Sequence, residues 1–114
     1  MPPNELFEKM RDALLSVQGE LSLPQLVCLL TIASSPGLSV NELAEQAGLP
    51  QQTASRHVSV LMGRYEAIAG VAPSEAMIRQ GISDEDPRRR SLFLTPFGQD
   101  VVDRFVFLDL ESGK

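Results

Sequence analysis

A mainly α-helical domain with one small β-hairpin is the fold class this sequence predicts, on three observations. Residues 39–61 read as two short helices joined by a tight turn. Residues 77–95 read as a hairpin with a charged tip. Apolar residues recur at helical spacing on both sides of these pieces.

The central stretch is SVNELAEQAGLPQQTASRHVSVL. Ser39 with Glu42 three residues later is a capping box, so a helix starts there. Leu43, Ala44 and Ala47 form its small apolar face. Gly48 stops it, because glycine takes the left-handed backbone that a helix end often needs. Leu49 plugs the turn, and Pro50 sets the backbone angle for a new helix start. The second helix places Ala54, Val58 and Leu61 on one side, at the spacing of a buried stripe. Gln51, Gln52, Ser55, Arg56 and Ser59 make its other side polar. Small residues at the crossing and a glycine in the turn describe a helix-turn-helix over 39–64.

The residue types suit a helix that enters the major groove. Gln pairs bidentately with adenine, Arg with guanine, and Ser or Thr with bases or phosphate. The helix start also offers free backbone N–H groups to a phosphate. A surface helical hairpin whose polar side merely faces water is the plain alternative.

The other elements follow in chain order. Asn4 to about Val17 is a first helix, with Asn4 as N-cap and Glu5 and Glu8 at its positive start. Leu6, Met10, Ala13, Leu14 and Val17 make its inner stripe, which Phe7 and Leu15 widen. A second helix runs from about Ser22 to Ala33, capped by Ser22, with Pro24 in its first turn. Leu26, Leu29, Leu30 and Ala33 are its inner side. Leu38 and Val40 suggest a very short strand. The recognition helix ends near Arg64, and a loop over 65–76 follows. In the hairpin, Ile78 and Ile82 share a face, as do Leu92 and Leu94, and DEDP is a strong turn signal. Thr95 caps a last helix over 96–110 with Pro96 at its first position. Its inner face uses Phe97, Val101, Phe105 and Leu108, and Val102, Val106, Phe107 and Leu110 leave it little polar surface. A hairpin directly after a helix-turn-helix is a wing, so the expected architecture is a winged helix-turn-helix, one domain over 1–114.

Asp86-Pro87-Arg88-Arg89-Arg90 places three guanidiniums at the wing tip. Beside a duplex, arginine gains from the negative potential of a narrow minor groove. At least one of the three is expected to brace the loop against Asp84 or Asp86 instead.

Composition bounds the rest. The chain has 114 residues, 43% hydrophobic and 22% charged, which suits a globular protein with one core. No apolar run approaches a membrane span, and the first residues carry acids rather than a basic-then-apolar leader. One cysteine excludes an intrachain disulfide, and a cytoplasmic location is the default. The net charge of −5 argues against nucleic acid until its distribution is read. Residues 50–95 carry six basic and five acidic side chains, against four and ten elsewhere. Local field steers a ligand more than total charge does, though the acidity still predicts modest, salt-sensitive binding.

Other sites are weak. His57 is the single histidine, at the edge of the buried face, where packing or a phosphate contact outweighs catalysis. Cys28 lies in an apolar run and reads as a small hydrophobe rather than a redox sensor. One His and one Cys make a transition-metal site within one chain improbable, and no nucleophile–base arrangement or phosphate loop is present. No enzyme, cofactor or metal is therefore expected.

The residues LSLPQLVCLLTIASSPGLSVNELAEQAGLPQQTASRHVSVL and then SDEDPRRRSLFLTPFG resemble the MarR family of winged-helix regulators, over about Leu21 to Arg104. The resemblance implies DNA contacts by Gln51, Gln52, Thr53, Ser55 and Arg56 on the helix, and by Arg88, Arg89 and Arg90 on the wing. It also implies a homodimer on a pseudo-palindromic double-stranded operator, in agreement with the apolar excess of the terminal helices 4–17 and 96–110. The segment RYEAIAGVAPSEAM replaces the family's usual glycine-leucine-valine-like step, and the terminal helices are shorter than the family's. A small-molecule effector is left unidentified. The expected function is transcriptional regulation, as a repressor that hinders polymerase. Two alternatives remain: a winged-helix protein–protein module, favoured by the acidic charge, and a DNA-binding subunit of a replication or partition complex.

Overall fold

The computed structural model describes residues 2–63, 76–82 and 90–106. Among the described residues, five helices and one hairpin follow in order: α1 Pro3–Val17, α2 Leu23–Ser34, α3 Val40–Ala47, α4 Gln51–Leu61, β1 Ile78–Ile82, β2 Arg90–Leu94 and α5 Pro96–Asp103. This is the mainly helical, winged arrangement that the sequence predicts.

The helix starts follow local chemistry. The Ser39 hydroxyl accepts from the Glu42 N–H at 3.2 Å, and the Glu42 carboxylate accepts from the Ser39 N–H at 2.8 Å. Ser22 and Gln25 form the same reciprocal pair at the head of α2. Ser39→Ala should therefore lower stability by about 1 kcal/mol, measured as a shifted midpoint in denaturant unfolding. The head of α1 differs from expectation. Pro2 is its N-cap and Pro3 its first residue, so Asn4 lies inside the first turn. Proline at that position has its angle preset and loses no helical bond, which outweighs the capping preference of asparagine.

At the α3–α4 turn, Gly48 is left-handed with φ 70°, and Leu49 N–H donates to the Ala44 carbonyl at 2.9 Å. Pro50 is the N-cap of α4 rather than its first helical residue. Gly63, at φ 77°, turns the chain away after α4, one residue before the expected end.

One core joins every element. Leu29, Ile32 and Cys28 of α2, Leu43 of α3, Val58 and Leu61 of α4, Ile78 and Leu92 of the wing and Val101 of α5 lie in it, nearly or wholly sealed. α2 is the central post, which explains why Cys28 and Ile32 are buried along with the expected Leu26 and Leu29. α1 contributes only Ala13 and Val17. Its expected partners Met10 and Leu14 are each 43% exposed, so that stripe faces outward within one chain.

The wing is an antiparallel pair with Ile78 opposite Leu94, Gln80 opposite Leu92 and Ile82 opposite Arg90. Leu92 N–H donates to the Leu38 carbonyl at 2.9 Å, and Gly37 N–H donates to the Leu92 carbonyl at 2.8 Å. The expected strand at Leu38 and Val40 is thus one residue of edge pairing at Leu38, and Val40 already begins α3. The last helix is shorter than the expected 96–110. It ends at Asp103, where the Arg104, Phe105 and Val106 N–H groups bond three residues back in tight turns rather than extending the α-ladder. Leu108 and Leu110, like most of the 65–76 loop and the DEDP turn, lie outside the described residues.

Candidate nucleic-acid interface

α4 buries Ala54, Val58 and Leu61 against the core and turns its other side outward. Gln51, Gln52, Ser55 and Arg56 are exposed, while Thr53, His57 and Ser59 are half-buried on the flanks. The four exposed polar side chains thus form one strip from Gln51 to Arg56, with Thr53, His57 and Ser59 along its margins. None of them has a hydrogen-bond partner among the described residues. Pro50 leaves the first α4 N–H groups without a side-chain cap. A helix start of this kind offers its N–H groups and positive dipole end to an anion.

The wing supplies cations. Arg90, at the start of β2, is exposed. Arg88 and Arg89 lie outside the described residues, as do Asp84 and Asp86. Arg79 was not singled out from the sequence, yet it is exposed on β1 with its guanidinium 4.8 Å from the centre of the Phe93 ring. Arg79 and Phe93 are cross-strand partners, a relation that appears only once the hairpin register is known. Phe93 also lies against Gly81, where an added Cβ would come within 3.1 Å of the ring, and near Gly37, where it would make ordinary contact at 3.7 Å.

The wing is fastened to the end of α4 through backbone. Met77 N–H donates to the Leu61 carbonyl at 2.7 Å, at the end of α4. The Met77 carbonyl accepts from Thr95 N–H at 3.0 Å, and the Thr95 hydroxyl donates to the Ala76 carbonyl at 2.6 Å. The same hydroxyl accepts from Gly98 N–H and caps α5, as the sequence predicts. The wing therefore emerges from the foot of α4.

The remaining candidates have plain roles. Cys28 is fully buried, and burial pushes its thiol pKa up, which disfavours the reactive thiolate. Among the described residues no group of His, Cys, Asp or Glu side chains is arranged to hold a metal. No helix among them is long and apolar enough to cross a membrane.

Comparison with known proteins agrees with this geometry. Residues 20–64 match the MarR family. That segment starts just after α1 and includes α2, α3 and α4. The fold is similar to the transcriptional regulator PcaV from Streptomyces coelicolor in complex with its natural ligand, at 26% identity and TM-score 0.60, over 92% of this chain and 70% of that one. It is also similar to a MarR-family transcriptional regulator from Silicibacter pomeroyi, at 26% identity and TM-score 0.65, over 93% of this chain and 62% of that one. A MepR mutant from S. aureus bound to an oligodeoxyribonucleotide shares the fold at 20% identity and TM-score 0.63, over 99% of this chain and 81% of that one. The chain thus spans roughly two thirds of the length of the first two of these proteins. Among curated proteins, none matches the chain.

Proposed function

We propose that this protein is a sequence-specific double-stranded DNA-binding transcriptional regulator of MarR type. The exposed polar strip of α4, with the arginine-bearing wing fastened at its foot, carries the proposal. Gln51, Gln52, Thr53, Ser55, Arg56 and His57 approach the major groove, and Arg88, Arg89 and Arg90 approach the neighbouring minor groove. Likeness to the oligodeoxyribonucleotide-bound MepR mutant supports a DNA partner.

The protein acts as a homodimer on an inverted repeat and represses by occupying it. Phe7, Met10, Leu14, Leu15, Leu23 and Val27 support the dimer, because they form an exposed apolar face on α1 and α2 that a single chain leaves wet. Half-sites of such a dimer lie about one helical turn or a multiple apart. The site of action is the cytoplasm. A small-molecule effector is part of the reading, on the likeness to ligand-bound PcaV.

Selection of bound sequences from a random duplex pool tests this directly. Recovery of an inverted repeat supports both dimer and specificity, and recovery of nothing at low salt overturns the reading. The residue roles are separable. Arg56→Ala should cost about 1–3 kcal/mol on the selected site and relax preference at one base position. Arg90→Ala should weaken all duplexes alike and reduce the salt slope by about one. The second reading, a protein–protein module, is favoured by the net charge of −5 and the apolar face. Absence of binding to any duplex at low salt would select it.

A further inference from the structure

His57 is the least explained polar group on α4. Its Nδ1 is sealed from water and has no hydrogen-bond partner among the described residues. The side chain as a whole is only half-buried, so its open edge is the one that carries Nε2. It lies one turn beyond Thr53 and next to Arg56, on the flank between the buried row and the exposed strip.

The chemistry of the ring decides what this edge offers. A neutral imidazole has one N–H and one lone pair. A proton on Nδ1 would be a buried donor with no acceptor, a rarer and more costly arrangement than an unused acceptor. The proton on Nε2 instead faces outward, where water or a ligand can accept from it. We propose that His57 is an uncharged hydrogen-bond donor through Nε2, aimed at a phosphate oxygen on the wall of the groove that α4 enters. This rests on the DNA-binding reading above. The flank position favours phosphate over a base edge, since the residues that face the groove floor are those on the centre of the exposed strip.

An uncharged donor leaves a signature that an arginine does not. It adds a contact but releases no condensed counterion, so its removal lowers affinity without altering the salt slope. Gln can place an amide N–H near the position of Nε2, whereas Leu fills the space with no donor.

Two measurements test the assignment. The first reads the free protein at pH 8 by long-range proton–nitrogen correlation of the imidazole, unambiguous because the chain has one histidine. An Nε2-protonated ring is expected, and an Nδ1-protonated ring overturns the proposal whatever DNA does. The second titrates wild type, His57→Leu and His57→Gln with the selected duplex and with an unrelated duplex over a range of salt. For His57→Leu, affinity should fall roughly three- to tenfold on both duplexes with unchanged slope, as for one lost hydrogen bond. His57→Gln should stay within about twofold of wild type. Leu binding as tightly as wild type would show a packing residue, a fallen slope a charged imidazolium, and a loss confined to the selected duplex a base contact. Each of these three overturns the proposal while leaving the DNA-binding reading intact. Wild type binding no duplex removes both.

Discussion

Gly98→Ala is expected to destabilise the protein by about 3 kcal/mol or more, a loss large enough to unfold a marginal domain. An added Cβ would lie 1.9 Å from the Met77 carbonyl oxygen and 2.9 Å from its carbon. Neither contact involves a flexible side chain that could move aside. The Met77 backbone is held on both faces, by the Leu61 carbonyl and by Thr95 N–H, so relief must come from moving α5 or the wing. Thermal unfolding should show a midpoint lowered by roughly 10–15 °C. Gly19 is the matched control, with nothing within 4 Å of a built Cβ, and Gly19→Ala should leave the midpoint within a few degrees. A Gly98→Ala protein that melts with wild type would show that α5 and the wing do not approach as described.

The second large effect concerns assembly. Met10 and Val27 lie in an apolar groove of about 360 Å³ between α1 and α2, which Phe105 also lines. Both are exposed in the single chain, at 43% and 38%, so glutamate there costs the isolated fold little. If this face is the dimer contact, Met10→Glu with Val27→Glu confines four carboxylates in one symmetric interface. Each buried charge costs several kcal/mol without a partner. Dimerisation should weaken by at least about a thousandfold. Sedimentation should then report a folded monomer, and duplex binding should fall to that of one half-site. A wild-type protein that sediments as a monomer at all concentrations would place the apolar face in another role.

Much of this architecture was legible because it is written in short-range chemistry. Ser39 with Glu42, Gly48, and Thr95 with Pro96 each act within four residues, so their roles need no knowledge of the rest of the chain. The polar strip of α4 was legible for a similar reason, since one helical period separates Ala54 from Val58. Longer-range features were not. Periodicity marks α1 as amphipathic but does not say whether its apolar side meets this chain or another, and only Ala13 and Val17 turn inward. The apolar residues after Arg104 read as more helix, yet the chain turns at Arg104 and leaves α5 eight residues long. Arg79 escaped notice because its partner Phe93 lies across a register that no local pattern encodes. His57 was placed at the margin of the buried face, but which of its nitrogens is sealed depends on how the helix packs.

The backbone fastening at Met77 and Leu38 has a mechanical consequence. The foot of the wing hangs from the end of α4 by one bond, from the head of α5 by another, and from the loop before α3 by a third pair. Hinging at its base would break several of these at once. The distance between α4 and Arg79, near the base of the hairpin, is therefore a built-in caliper. If α4 and the wing engage a duplex as proposed, one whose groove spacing departs from that gauge must deform to fit, which adds discrimination at base pairs that no side chain touches.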